Sequence, residues 1–139
     1  ERHADVHRFV KLLLARRLLR DVSHEEQRVS LSEMIAKANK AWHGTRLNQP
    51  DWGEHSHSIA FGAELRREGI VFHLILNGYW EPLEFELPPT SGSTHWQRWI
   101  DTSRPSPEDI VEWQAAPPVL GTTYPAGPRS VVVLYARAD

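Results

Sequence analysis

At 139 residues the chain has the length of one domain, and 40% hydrophobic with 24% charged residues is the balance of a folded protein, not of a disordered one. A net charge of -2, from 16 basic and 18 acidic residues, supplies no basic face for a phosphate backbone or an anionic membrane, so neither is an expected partner. Cysteine is absent, which excludes a disulfide framework, a thiolate nucleophile and a cysteine zinc site; with no apolar run of membrane length and no signal-peptide pattern, a cytoplasmic protein is expected.

Residues 5–20 are predicted to be helical, because Val6, Phe9, Val10, Leu13 and Leu14 recur at the spacing that builds one apolar face. Arg16, Arg17 and Arg20 fall in the last turns, where cations suit the negative end of the helix dipole. Ser30 and Glu33 form a capping-box pattern that opens a second predicted helix over 31–40. After Trp42 the period changes to alternation. Residues 58–65 place Ile59, Phe61, Ala63 and Leu65 on one strand face, 66–69 have turn chemistry, and 70–76 is an almost continuous apolar strand, so the pair reads as a hairpin whose second strand is buried. Asn77-Gly78 opens a turn. Leu83, Phe85 and Leu87 then alternate with Glu84 and Glu86, the pattern of a strand wet on its outer side, and Pro88-Pro89 ends it. Residues 96–100 are a short strand, the proline-rich stretch 115–128 is irregular with one short strand near Leu120, and 130–136 is a valine-rich central strand.

Several short strands with turns between them and no interleaved helices predict an all-β protein, an antiparallel sandwich or barrel, preceded by one or two helices. The chain opens on Glu1 and its one methionine is Met34, so it is expected to be the tail of something longer. The apolar stripe of the first helix either caps one sheet or faces a neighbouring domain, and the missing start codon favours the neighbour.

Glycoside hydrolysis needs two carboxyl groups on either side of one bond, roughly 5–9 Å apart. Glu84 and Glu86, two apart on a strand, sit at a permissive separation of about 7 Å, but on the solvated face, where carboxylates stay ordinary. His55 and His57 share an i, i+2 spacing that on a strand aims both at one zinc ion, yet no third ligand is fixed, and hydrogen-bonding loop histidines are the expected reading. There is no Gly-x-Ser-x-Gly and no glycine-rich phosphate loop. The six tryptophans are the stronger lead, since a sugar ring stacks its C–H face on indole. Trp52, Tyr79 and Trp80 fall in predicted loops as candidates for glucan or inter-domain contact, whereas Trp42, Trp96, Trp99 and Trp113 lie on or near ordered elements and are expected in core or inter-domain packing.

Ala41-Trp42-His43-Gly44, Gln49-Pro50-Asp51-Trp52 and His55-Ser56-His57-Ser58-Ile59-Ala60-Phe61 resemble the segment entering the C-terminal domain of bacterial glycogen-debranching enzymes. These belong to the isoamylase branch of the α-amylase superfamily. Leu76-Asn77-Gly78-Tyr79-Trp80-Glu81-Pro82-Leu83-Glu84-Phe85, then Trp96, Trp99-Ile100-Asp101-Thr102 and Pro128-Arg129-Ser130-Val131-Val132-Val133-Leu134, continue the likeness in the same order over about 40–136. The resemblance implies a Greek-key β-sandwich at 41–139. It also implies that 1–40 is the end of a (β/α)8 barrel, with its final helix, plus a connector. Such barrels cleave α-1,6 branch linkages of glycogen, and their catalytic aspartate and glutamate would lie upstream of Glu1, so no catalytic residue carries over. The expected role is therefore a non-catalytic accessory domain that stabilises the barrel and needs no cofactor. The alternative is a carbohydrate-binding module that grips glycogen through Trp52, Tyr79 and Trp80.

Overall fold

The structure, a computed structural model, describes residues 2–22, 39–65, 69–91 and 94–138, with the backbone alone for 17–22. Strands β1 (Asn39–His43), β2 (Ser58–Leu65) and β3 (Ile70–Asn77) form an antiparallel meander. Strands β4 (Leu83–Glu86), β5 (Trp96–Asp101), β6 (Pro118–Val119), β7 (Thr123–Ala126) and β8 (Ser130–Arg137) follow. The larger sheet has the order β1-β2-β3-β8-β5-β6 and the smaller is the pair β4-β7, so the fold is the expected all-β sandwich behind a helix. Strand β8 returns to lie between β3 and β5, the long return of a Greek key. It is the valine-rich segment because its middle, Val132 to Leu134, is covered on both faces, where alternation gives way to continuous hydrophobicity.

The inner face of the large sheet meets the small one over Ala60, Ile75, Val132 and Leu134 from one side and Phe85 and Tyr124 from the other. Alternation on β4 works as predicted: Phe85 is buried while Glu84 and Glu86 are exposed. Tyr124 donates its phenolic hydrogen to Asp101 at 2.5 Å, which fastens β7 to the end of β5 inside the protein. Burial, and then the Asp101 carboxylate, push that phenol up to about 12.

The outer face of the large sheet carries helix α1 (Ala4–Val22). Phe9, Leu12 and Leu13 pack on Ile100, Ile110 and Val133. Arg8 donates to the Ile110 carbonyl at 2.8 Å and pairs with Asp109, and Arg16 lies over the Trp113 ring at 4.0 Å. The apolar stripe is thus divided: Phe9 and Leu13 face the sheet, whereas Val6, Val10 and Leu14 are exposed.

Three boundaries differ from the sequence reading. The second predicted helix lies outside the described residues except at Asn39 and Lys40, which are extended in β1. Trp42 is inside β1, not before the first strand, because pairing with β2 at Trp42↔Phe61 overrides weak local preference. The single short strand expected near Leu120 is two strands, β6 and β7, with Leu120 in the turn between them.

Candidate functional site

Two exposed aromatic groups stand at the same end of the sandwich, where β2 begins and β3 ends. In the first, Tyr79 and Trp80 follow β3 with ring centroids 4.0 Å apart and planes tilted by 34°. His57, one residue before β2, lies 6.3 Å from Tyr79 and 6.2 Å from Trp80. The backbone makes this meeting possible: the Gly78 N–H donates to the His57 carbonyl at 2.8 Å, and a Cβ on Gly78 would stand 3.0 Å from that same oxygen. Buried Asn77 holds the turn from below. Its amide donates to the carbonyls of Gly127 at 2.9 Å and Glu81 at 3.1 Å, and its oxygen accepts the Tyr79 N–H at 3.0 Å. Arg129, in the left-handed region at φ 50, closes the turn by donating its N–H to the Tyr79 carbonyl at 3.0 Å. Trp80 is 59% exposed on this braced turn.

The second group is built on the sheet edge. Trp42 on β1 leans on Phe61 of β2 at 4.7 Å and meets Trp52 edge-on at 5.4 Å with planes at 68°. Trp52 is 66% and Trp42 47% exposed, so Trp42 belongs with the surface aromatics and not in the core. Trp96 is buried, with its indole N–H on the Pro88 carbonyl at 2.8 Å; Trp99 and Trp113 are half-buried, and Trp113 stacks on Tyr135 at 3.6 Å. The register places Ile59, Leu76 and Val131 side by side on the outer face next to Phe61, and Leu76 and Val131 remain 44% and 38% exposed there. Arg8 anchors one flank of α1 to Asp109. Trp42, Leu76 and Val131 on the sheet and Val6, Val10 and Leu14 on α1 are thus large apolar side chains left exposed.

Between the sheets sits a feature that sequence reasoning missed. His73, fully buried in the middle of β3, lies 5.5 Å from the His43 ring and 5.7 Å from the Trp96 ring, and neither of its nitrogens has a hydrogen-bond partner. Burial, reinforced by His43, lowers its pKa to about 4, so it is neutral near pH 7. Burial also lowers His43, whose Nδ1 accepts the Asn48 N–H at 2.8 Å. The one signal for this pair was a histidine interrupting an apolar run.

The remaining candidates have structural partners. Glu84 accepts from the Thr123 hydroxyl at 2.5 Å and Glu86 from the Leu47 N–H at 3.0 Å, so both carboxylates staple β4 to its neighbours. His55 lies in a turn that the Ser56 N–H closes on the Gly53 carbonyl at 3.0 Å, so the strand geometry that would align it with His57 is not formed. No group of three His, Cys, Asp or Glu side chains is placed to hold a metal ion among the described residues. A pocket of about 200 Å³ at the opposite end, lined by Glu64, Val71, Thr90, Trp96 and Arg137, is below the usual range for an organic ligand. No helix among the described residues is long and apolar enough to cross a membrane.

By fold the chain is an antiparallel β-sandwich module with a helix on one sheet and aromatic side chains at one end. It belongs to the isoamylase 1-3 C-terminal family, whose model matches residues 41–123, more than half of the chain. A similar protein is "Isoamylase 1, chloroplastic" of Arabidopsis thaliana, 28% identical over 113 residues, which are 80% of this chain and 13% of the plant protein. The chain therefore spans a small part of that relative's length.

Proposed function

We propose that this domain is the non-catalytic C-terminal domain of an isoamylase-type enzyme that hydrolyses α-1,6 branch linkages in glycogen. It packs on the (β/α)8 catalytic barrel and stabilises it. The observation that carries the reading is the open outer face. The core between the sheets is complete, yet Trp42, Leu76 and Val131 on the large sheet and the Val6–Val10–Leu14 row of α1 stay exposed. A helix that gives one row to the sandwich and keeps a second apolar row outward is suited to lie between two domains, which supports assigning 1–40 to the barrel's end and 41–139 to the sandwich. The family match supports the parentage. The cytoplasmic location belongs to the proposal as well, since the plant relative is chloroplastic.

Producing the parent's barrel and this domain as separate chains tests the reading. The domain should bind the barrel, raise its melting temperature and raise its release of reducing ends from glycogen, while releasing none alone. Leu76→Asp should weaken all three barrel effects. A barrel equally stable and active without the domain would refute the proposal.

A further inference from the structure

We propose that the Tyr79–Trp80 turn, with His57 at its side, is a stacking site for an α-linked glucan chain, distinct from the apolar face assigned to the barrel. The choice of an α-linked sugar rests on the isoamylase reading; the site itself rests on its geometry. Tyr79 backs the indole of Trp80 at 4.0 Å, which fixes the plane of a ring that is 59% exposed and leaves area for a pyranose C–H face. The turn is ordered before any ligand arrives. Asn77, Gly78 and Arg129 tie it to the chain on three sides, so binding spends little on immobilising it. Its rim is polar: His57, Glu81 and Arg129 are exposed beside the rings, and such groups exchange hydrogen bonds with sugar hydroxyls.

The Trp42–Trp52 group has the opposite character. Its rings meet edge-on at 68°, which offers no backed open plane, and it continues into Phe61 and Leu76 instead of into polar side chains. That surface fits apolar protein side chains, and Trp52 is assigned to it. Of the three candidate residues in the sequence, Tyr79 and Trp80 therefore serve the sugar and Trp52 does not.

Titration of the 139-residue chain with maltoheptaose, a linear α-linked glucan, followed by calorimetry, reads the site directly. Saturable binding in the millimolar range or tighter is expected. Trp80→Ala should weaken it about tenfold or more, Trp80→Phe should keep most of it, and Trp52→Ala should stay within about twofold. In the unmutated chain, maltoheptaose should protect Trp80 but not Trp52 from indole oxidation mapped by mass spectrometry, a readout that needs no variant to fold. Absence of saturation up to about 10 mM, equal protection of both tryptophans, or a loss confined to Trp52→Ala overturns the site. Binding of β-linked cellohexaose as tight as maltoheptaose overturns the sugar class. All of this is read without the barrel, so a failed titration leaves the docking proposal standing, and failed docking leaves the sugar site.

Discussion

Acidification should weaken this fold through one side chain. His73 has a pKa of about 4 in the folded protein, against an ordinary value of 6.5 for the unfolded chain. As pH falls below 6.5 the unfolded chain takes up the proton first, and the folded state must lose stability until its own His73 titrates near 4. The difference, 6.5 minus 4, at 1.36 kcal/mol per unit is about 3 kcal/mol in total, of which about 2 kcal/mol is lost by pH 5. His43 adds a slope of its own, so the comparison is with His73→Leu, which keeps a side chain of similar size and removes the titration. Urea unfolding of both chains at steps from pH 7.5 to 4 gives the two curves. Wild type should fall about 3 kcal/mol further than the variant across that window. At pH 7 the variant should match or exceed wild type, because two unpartnered buried nitrogens have gone. Parallel curves, differing by less than about 0.5 kcal/mol over the window, would refute the assignment of a buried, uncompensated imidazole.

Four further outcomes follow from buried or braced contacts. Tyr124→Phe removes the 2.5 Å bond to Asp101 and leaves that buried carboxylate to Ser103 and Arg104, so chemical denaturation should report a loss of about 1–2 kcal/mol. In an ultraviolet titration of the wild type, one of the three tyrosines should ionise only near pH 12. Asn77→Ala removes the acceptor of the Tyr79 N–H and the donor to the Glu81 and Gly127 carbonyls and should cost about 2–3 kcal/mol by urea midpoint, with a change in tryptophan emission as the turn loosens. Arg8→Ala should cost about 1–2 kcal/mol and speed amide exchange in α1, leaving exchange in β3 and β8 unchanged, since the contacts it removes, to the Ile110 carbonyl, Asp109 and the Ser106 hydroxyl, all lie in the segment after β5.

Much of the fold was legible because its signals are local. Alternation at Leu83–Glu84–Phe85–Glu86 and the valine run of β8 mark a half-buried strand and a central one whatever lies around them. Legibility failed where pairing decides. Asn39-Lys40-Ala41-Trp42-His43 has little strand preference of its own, and β2 recruits it as an edge strand. For that reason Trp42, placed by the sequence reading with the packed tryptophans, is on the surface. The aromatic lead was half readable: a turn after Asn77-Gly78 exposes Trp80, but only the Gly78–His57 bond shows that His57 joins it.

From the residues alone came the helix, most of the strands, the all-β class and the candidate tryptophans, since a side-chain period of two or of 3.6 is a property of neighbours in sequence. Which row of α1 is covered, that Trp52 turns to Trp42 and not to Trp80, and that His73 is shut in without a partner were decided by contacts between segments far apart in the chain. Those contacts depend on strand order and on which face of a sheet is covered, and periodicity carries no information about either.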